Sequence, residues 1–333
     1  MQPSPETILV TGGAGFIGSH LCEALLAEGA KLVVIDDFND FYEPGIKFNN
    51  IAAFRDQITL VQGDIRDAAL VESLFTTHCF DKVFHFAARA GVRPSIADPK
   101  LYISTNIDGT LNLLEGCRKT GVRQFIFASS SSVYGINEKV PFAETDLIQR
   151  TISPYAASKL AGEQLCSNYS HLFGIRIICL RFFTVYGPRQ RPDLAISKFT
   201  RKIMAGEAID QYGDGTTARD YTYVGDIING VMAAGKYTAS DFEIINLGGS
   251  AANALSQLIS EIEDNVGEKA QINYLPEQPG DVPLTFADVT KAKKLLGYCP
   301  GTHLKQGLRQ YIKWVGSQSM ECDVDSSSSR ETF

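Results

Sequence analysis

T-I-L-V-T-G-G-A-G-F-I-G, residues 7–18, is the stretch from which the fold is read. An apolar, β-branched run over Thr7–Thr11 passes without a spacer into glycines at 12, 15 and 18, and an amphipathic segment follows. A strand that feeds a helix through a glycine turn leaves backbone N–H groups at the helix N-terminus, where an anion is stabilised. The first glycine permits the tight turn, the second lets a pyrophosphate approach the backbone, and the third lets helix and strand pack closely. Gly12, Gly15, Phe16, Ile17 and Gly18 are therefore expected to cradle a dinucleotide.

The same alternation continues outward. Short β-branched runs recur at Lys31–Asp36, Ile58–Gly63, Lys82–Ala87, Gln124–Ser129 and Arg176–Arg181, separated by longer amphipathic stretches, the pattern of β-α-β units in a parallel sheet. Gly29, Gly121 and Gly174 each stand just ahead of such a run, and glycine adopts the left-handed conformation that closes a helix. With right-handed crossovers, helices then cover both faces of one sheet. The expectation is an α/β chain: a Rossmann-type doubly wound parallel sheet over residues 1–182 with a returning strand at 243–247, and a smaller C-terminal substrate-binding lobe from 183–242 and 248–316. Leu255–Val266 reads as a helix of that lobe. Residues 317–333 include serines at 326–329 and lack an apolar period, so a disordered tail is expected there.

Composition excludes several classes. The chain has 333 residues, 44% of them hydrophobic, and a formal net charge of −7, so it can build a sizeable core but offers no basic surface to a nucleic-acid backbone. Its apolar runs are strand-sized and its first residues polar, so neither a membrane span nor a signal peptide is expected, and the protein is expected in the cytoplasm. The 7 cysteines form no C-x-x-C pair and the 5 histidines no pair at ligand spacing; no metal site is expected.

Asp36 closes the second run about 20 residues beyond Gly15, where a carboxylate accepts hydrogen bonds from an adenine ribose and repels a 2′-phosphate. NAD is thus expected over NADP, although Asp36 could instead cap the following turn. Asp64 and Ile65 after the third run, and Ala87 and Ala88 after the fourth, fit the same crevice. Helix capping by Asp64 and plain core packing of the two alanines are the alternatives. Further on, Tyr155 and Lys159 form Y-A-A-S-K behind Ser153 and Pro154, a cap and first turn that would put both on one helix face. The fifth run ends in Ser129, Ser130, Ser131 and Ser132, so hydroxyls and phenol can converge beside a nicotinamide. A free phenol titrates near about 10, too high for a base at neutral pH; positive charge from Lys159 and an oxidised nicotinamide is expected to lower it. Tyr155 would then take the proton of a sugar hydroxyl while NAD takes hydride from the same carbon, with Ser130 holding the oxygen. A surface Tyr/Lys pair is the alternative.

T-G-G-A-G-F-I-G, S-S-V-Y-G and Y-A-A-S-K, in this order, resemble the extended short-chain dehydrogenase/reductases, the NAD-dependent epimerase/dehydratase family, over residues 7–315. The resemblance implies that Asn106 joins Ser130, Tyr155 and Lys159, and that Phe183 packs near the nicotinamide. In that family dehydratases look like T-D-E-V-Y-G and UDP-glucuronate decarboxylases like T-S-E-V-Y-G after the fifth strand. This chain has Ser131 and Ser132 instead, so C4 epimerisation rather than elimination is implied. A-G-V-R at 90–93, F-F-T-V-Y-G-P at 182–188, R-P-D at 191–193 and Q-P-G-D-V-P at 278–283 are similar to UDP-glucuronate 4-epimerases in particular. The implied reaction takes UDP-glucuronate to UDP-galacturonate by transient oxidation. Epimerisation of UDP-glucose or UDP-N-acetylglucosamine is the alternative, and a catalytically silent NAD-binding regulator is the reading from another class, which Ser130, Tyr155 and Lys159 oppose.

On the substrate side the resemblance implies Arg93, Ser131, Ser132, Thr184, Arg191, Arg219 and Asp281. A 4-keto-glucuronate is a β-keto acid that readily loses carbon dioxide, so hydroxyls that hold its carboxylate still make chemical sense. Guanidinium groups at 191 and 219 suit a diphosphate. A small-residue loop at 131–132 and surface salt bridges for the arginines are the plain alternatives. Arg89 and Gly225 depart from the group, where glutamine and aspartate are common. A homodimer through helices near 99–118 and 154–173 is also implied.

Overall fold

Leu9 and Val10 point to opposite faces of one strand and both are fully buried, which requires a sheet covered on both sides. The computed structural model describes residues 4–277 and 282–328, with the side chains of the last helix described as far as Gln318. Six strands carry the first part: β1 (Thr7–Thr11), β2 (Lys31–Asp36), β3 (Ile58–Gln62), β4 (Lys82–His85), β5 (Gln124–Ser130) and β6 (Arg176–Phe182). Then β7 (Thr184–Tyr186), β8 (Ile209–Tyr212) and β9 (Ala218–Tyr223) leave the sheet, β10 (Phe242–Leu247) returns to it, and β11 (Ala252–Ala254) and β12 (Ile272–Leu275) lie outside it again. Among the described residues the main sheet has seven strands in the order β10-β6-β5-β4-β1-β2-β3, every pair parallel.

The connections are α1 (Phe16–Ala27), α2 (Pro44–Ile51), α3 (Ala68–Thr77), α4 (Val92–Ala97), α5 (Pro99–Ile103), α6 (Gly109–Thr120) and α7 (Pro154–Phe173), followed by α8 (Ala195–Met204), α9 (Val224–Ala234), α10 (Leu255–Val266), α11 (Thr290–Leu296) and α12 (Leu304–Ser328). On one face Ile8, Val10 and Val34 pack with Leu21 and Leu25 of α1 and Ile227 and Val231 of α9. On the other, Leu9, Val33 and Ile35 meet Leu74 of α3, Leu113 and Leu114 of α6 and Cys166 of α7. Each such side chain contributes about 1.5–3 kcal/mol by leaving water. Gly121 and Gly174 close α6 and α7 in the left-handed conformation, as their places ahead of strands led us to expect.

The chain reaches the β3 edge and then crosses back over β1 to β4. That reversal opens a crevice at the carboxyl ends of β1 and β4, where ligands of open α/β sheets bind. Beside it, β7, β9 and β11 form one small sheet, β8 and β12 another, and Phe199, Ile203, Leu258, Ile262, Leu308 and Tyr311 gather α8, α10 and α12 into a separate core.

The end of the chain differs from expectation. α12 continues to Ser328, through residues 317–328 that lack an apolar pattern, because a helix anchored by buried Leu308, Tyr311 and Val315 adds further turns at little cost once nucleated. Residues 329–333 lie outside the described residues, as does most of the Q-P-G-D-V-P stretch. Among the described residues no helix is long and apolar enough to cross a membrane, and no cluster of His, Cys, Asp and Glu has the makings of a metal site.

A Cβ added at Gly18 would stand 2.2 Å from the Gly12 carbonyl oxygen and 2.9 Å from Gly13 Cα. Gly18→Ala is expected to destabilise the fold by about 1–3 kcal/mol, read as a lower urea midpoint at unchanged slope. An unshifted midpoint would show slack in a turn that we describe as tight.

Candidate active site

The crevice is a cleft of about 350 Å³ walled by residues from the ends of β1 to β6 and the start of the lobe. At its floor a Cβ on Gly12 would lie 2.7 Å from the Ala87 nitrogen, so the β1 turn and the end of β4 touch backbone to backbone. Gly12, Gly15, Phe16, Ile17, Gly18, Asp36, Asp64, Ile65, Ala87 and Ala88 all line this half. The Asp36 carboxylate accepts from the Phe38 and Ala14 amides at 3.0 and 3.2 Å, with the Lys47 ammonium 3.5 Å away. Burial pushes its titration up, and Lys47 and the amides oppose that shift. Asp64 lines the cleft and also caps the turn after it, accepting from the Arg66 amide at 2.8 Å and from its guanidinium at 2.9 Å. The capping reading is thus seen, in a residue that also lines the cleft.

The reacting half is set by α7. Ser153 caps it, accepting from the Ala156 amide at 3.1 Å, and Pro154 occupies its first turn. Tyr155 and Lys159 follow one turn apart and line the cleft with Ser130 of β5. Lys159 Nζ donates to the Ala128 carbonyl at 2.8 Å and lies 5.1 Å over the Phe127 ring; burial lowers its titration to about 8. The Tyr155 phenol is pushed up by burial, and the neighbouring Ser130 hydroxyl and Arg191 guanidinium pull it back. This departs from the expectation that Lys159 itself would depress the phenol. The ammonium is turned to the strand carbonyl, and Arg191 is the cation felt at Tyr155.

Behind this surface lies a buried network that sequence reasoning missed. Glu163, one helical turn past Lys159, takes a two-pronged ion pair from Arg181 of β6 at 2.9 and 2.7 Å and accepts from Ser129 at 2.6 Å. Arg181 stacks 4.7 Å over the Tyr134 ring, and Tyr134 donates to Asn246 of β10 at 2.7 Å. The end of β5, α7, β6 and the edge strand β10 are thus locked together. The only signal in the sequence was Glu163 on the helical face of Tyr155 and Lys159.

Asn106 sits in a single π turn, Ser104–Asp108, between α5 and α6, a rare insertion often found at functional sites. Its amide is turned away from the cleft: Oδ1 accepts from the Arg89 N–H at 2.8 Å, and Nδ2 donates to the Arg89 carbonyl at 3.0 Å and to Ser158 at 2.9 Å. It clasps the loop after β4 and steadies α7, which is a positioning role. Phe183, Thr184 and Arg191 do line the cleft, Arg191 held by Asp193 at 2.9 and 2.7 Å. Ser131 and Ser132 fall outside the cleft wall, in a 3-10 turn capped by Ser130 through the Ser132 amide at 3.2 Å. Arg93 lies 5.2 Å over the Tyr212 ring, and Arg219 donates to the Ala218 carbonyl at 2.9 Å; both stand away from that wall. Asp281 lies outside the described residues. Lys47 and Arg89 are further cleft residues, of which sequence reading flagged only the second.

Residues 9–311 match the family model described as GDP-mannose 4,6 dehydratase. UDP-glucuronate 4-epimerase 4 of Arabidopsis thaliana is 41% identical over 326 residues, covering 92% of this chain and 75% of that protein. Among solved structures, UDP-glucuronic acid 4-epimerase from Bacillus cereus, in complex with UDP-glucuronic acid and NAD, is 38% identical with a TM-score of 0.88, covering 94% of this chain and 99% of that one. UDP-glucose 4-epimerase from Thermotoga maritima with UDP-glucose also superposes with a TM-score of 0.88, at 33% identity over 94% of this chain and 99% of that one.

Glu163 and Arg181 side chains are 0% and 3% exposed, so Glu163→Gln strands a buried guanidinium and is expected to cost about 3–5 kcal/mol in urea unfolding. Glu163→Gln with Arg181→Met should recover part of that loss; no recovery would mean that the pair is not the source. For Lys159, a folded-state titration near 8 means that above it the folded chain gives up a proton that the unfolded chain keeps. Stability of the ligand-free protein is therefore expected to rise from pH 8 towards about 10, relative to Lys159→Met. Parallel pH profiles for the two proteins would refute that.

Proposed function

Because the chain belongs to the epimerase/dehydratase family of short-chain dehydrogenase/reductases, matching its dehydratase model over residues 9–311, we propose that it is an NAD-dependent UDP-glucuronate 4-epimerase, interconverting UDP-glucuronate and UDP-galacturonate. The observation that carries this reading is the convergence of Ser130, Tyr155 and Lys159 in the cleft that also holds the glycine turn and Asp36. The carboxylates of the cleft wall, Asp36, Asp37 and Asp64, lie at the other end, after β2 and β3. Glu163 is engaged by Arg181. Among the described residues no carboxylate of the cleft wall stands beside Ser130 and Tyr155, which favours inversion at C4 over elimination.

The residues present fit the cofactor. A turn that packs closely because Gly12 and Gly18 lack side chains presents the uncapped start of α1 to the cleft for a pyrophosphate, and Asp36 offers a carboxylate for ribose hydroxyls. When bound, NAD supplies the two-electron acceptor at C4 and, in its oxidised form, a positive charge beside the phenol. Tyr155 takes the C4 hydroxyl proton and later returns it, with Ser130 holding the sugar oxygen by a hydrogen bond. Arg191 is the cation that favours the phenolate, and Lys159, fixed on Ala128, is held one helical turn beyond Tyr155. Arg191 also stands where it can meet the diphosphate. Thr184 of the cleft wall remains to hold the sugar carboxylate against loss of carbon dioxide.

The protein is further proposed to work as a homodimer in the cytoplasm. Ile103 and Leu111, around the π turn, and Leu172 and Phe173 at the end of α7 expose 36–66% of their surface, an apolar set that a second copy would cover. Sedimentation should give twice the monomer mass, and a monomer would end the dimer proposal without touching the chemistry.

NMR of the product from UDP-glucuronate should show UDP-galacturonate with all carbons retained; a pentose product with carbon dioxide, or turnover of UDP-glucose in its place, would overturn the assignment. Tyr155→Phe should keep NAD yet lose turnover by about three orders of magnitude.

A further inference from the structure

We infer that Arg89 is a clamp that closes over the pyrophosphate of the bound dinucleotide and slows its release. The inference rests on the NAD reading above. Arg89 follows β4, and its backbone is fixed at both N–H and carbonyl by Asn106, at 2.8 and 3.0 Å. From that anchor the side chain reaches the loop after β2: Nη1 donates to Asn39 Oδ1 at 3.2 Å, and Nη2 stands 3.9 Å from Asp37 Oδ2. In the sheet, β1 lies between β4 and β2. A side chain anchored at the end of β4 and tethered after β2 therefore spans the carboxyl end of β1, where the glycine turn begins.

Two further observations give the span an anionic partner. The Arg89 side chain is 13% exposed, and among the described residues its buried Nε has no hydrogen-bond partner. A buried charged donor without an acceptor is costly, and the guanidinium fork offers N–H groups on adjacent edges. The floor beneath is the glycine turn, where Gly12 packs backbone to backbone on Ala87 and α1 begins after Gly15 with no side chain capping its first amides, which suits an anion. Around it stand Asp36, Asp37 and Asp64, with Lys47 beside the first two. A dianionic linker entering this acidic rim needs a further cation, and Arg89 already acts on both Asp37 and Asp64. Its free edge meets a phosphate oxygen, while Asn39 and Asp37 hold the opposite edge in place.

The test separates phosphate from nucleoside. Wild-type protein freed of co-purified dinucleotide is titrated with ADP-ribose and with adenosine, and the dissociation rate of NAD is followed by fluorescence. In Arg89→Gln, ADP-ribose affinity should fall by about 10- to 100-fold, NAD should leave faster by a similar factor, and adenosine affinity should hold. Arg89→Lys, which keeps the charge without the fork, should fall between, and carries the same comparison if Arg89→Gln does not fold. Unchanged ADP-ribose affinity, or an equal loss for adenosine, overturns the clamp. A wild-type chain that binds neither NAD nor ADP-ribose overturns the cofactor reading first, and the clamp with it.

Discussion

The constraint on which the site rests is the meeting of the β1 turn with the end of β4, where backbone faces backbone and no side chain fits between Gly12 and Ala87. It sits where the winding of the sheet reverses, so the feature that lets two strand ends diverge also makes the space between them. Everything at the site is arranged around that gap. Thr11 and His85, at the tips of the two strands, are joined at 2.7 Å, and the imidazole reaches on to Thr110 at 2.9 Å. Burial holds that histidine well below its ordinary titration, so it serves as a neutral strut. The π turn then lets Asn106 grip the loop above, and the cleft acquires walls that do not depend on a ligand to stand.

Much of this was legible in the residues. The glycines at 12, 15 and 18, the run of strands before glycine-closed helices, and the capped Y-A-A-S-K helix are local patterns, and local patterns are what period and capping report. Strand limits and the return of β10 to the sheet followed the same signals. What stayed hidden depends on partners far away in the chain. The Asn106 amide could not be assigned without knowing that Arg89 and Ser158 would surround it. Arg181 read as one more strand residue until Glu163 met it, and Ser131 and Ser132 fall outside the cleft wall in a 3-10 turn, not an extended strand, after Ser130.

Electrostatics shows the same division. Charge type was readable, but the direction in which each group is driven was not. Lys159 and Tyr155 are both displaced by burial, towards lower and higher values respectively, and each shift favours the neutral form. Positive charge brought into the cleft opposes the burial shift at Tyr155.

The position of β10 bears on how the protein is made. Its partner β6 ends at Phe182, yet β10 starts only at Phe242, after three strands and a helix outside the main sheet and α9, which packs on its face. While the ribosome is still delivering that intervening stretch, the cofactor half exists with one flank of β6 bare, and bare strand flanks recruit foreign strands. Arg181 and Glu163, already inward-facing charges beside that flank, discourage such pairing until Asn246 arrives to take the Tyr134 hydroxyl. The pair that steadies the finished enzyme thus also guards the unfinished one.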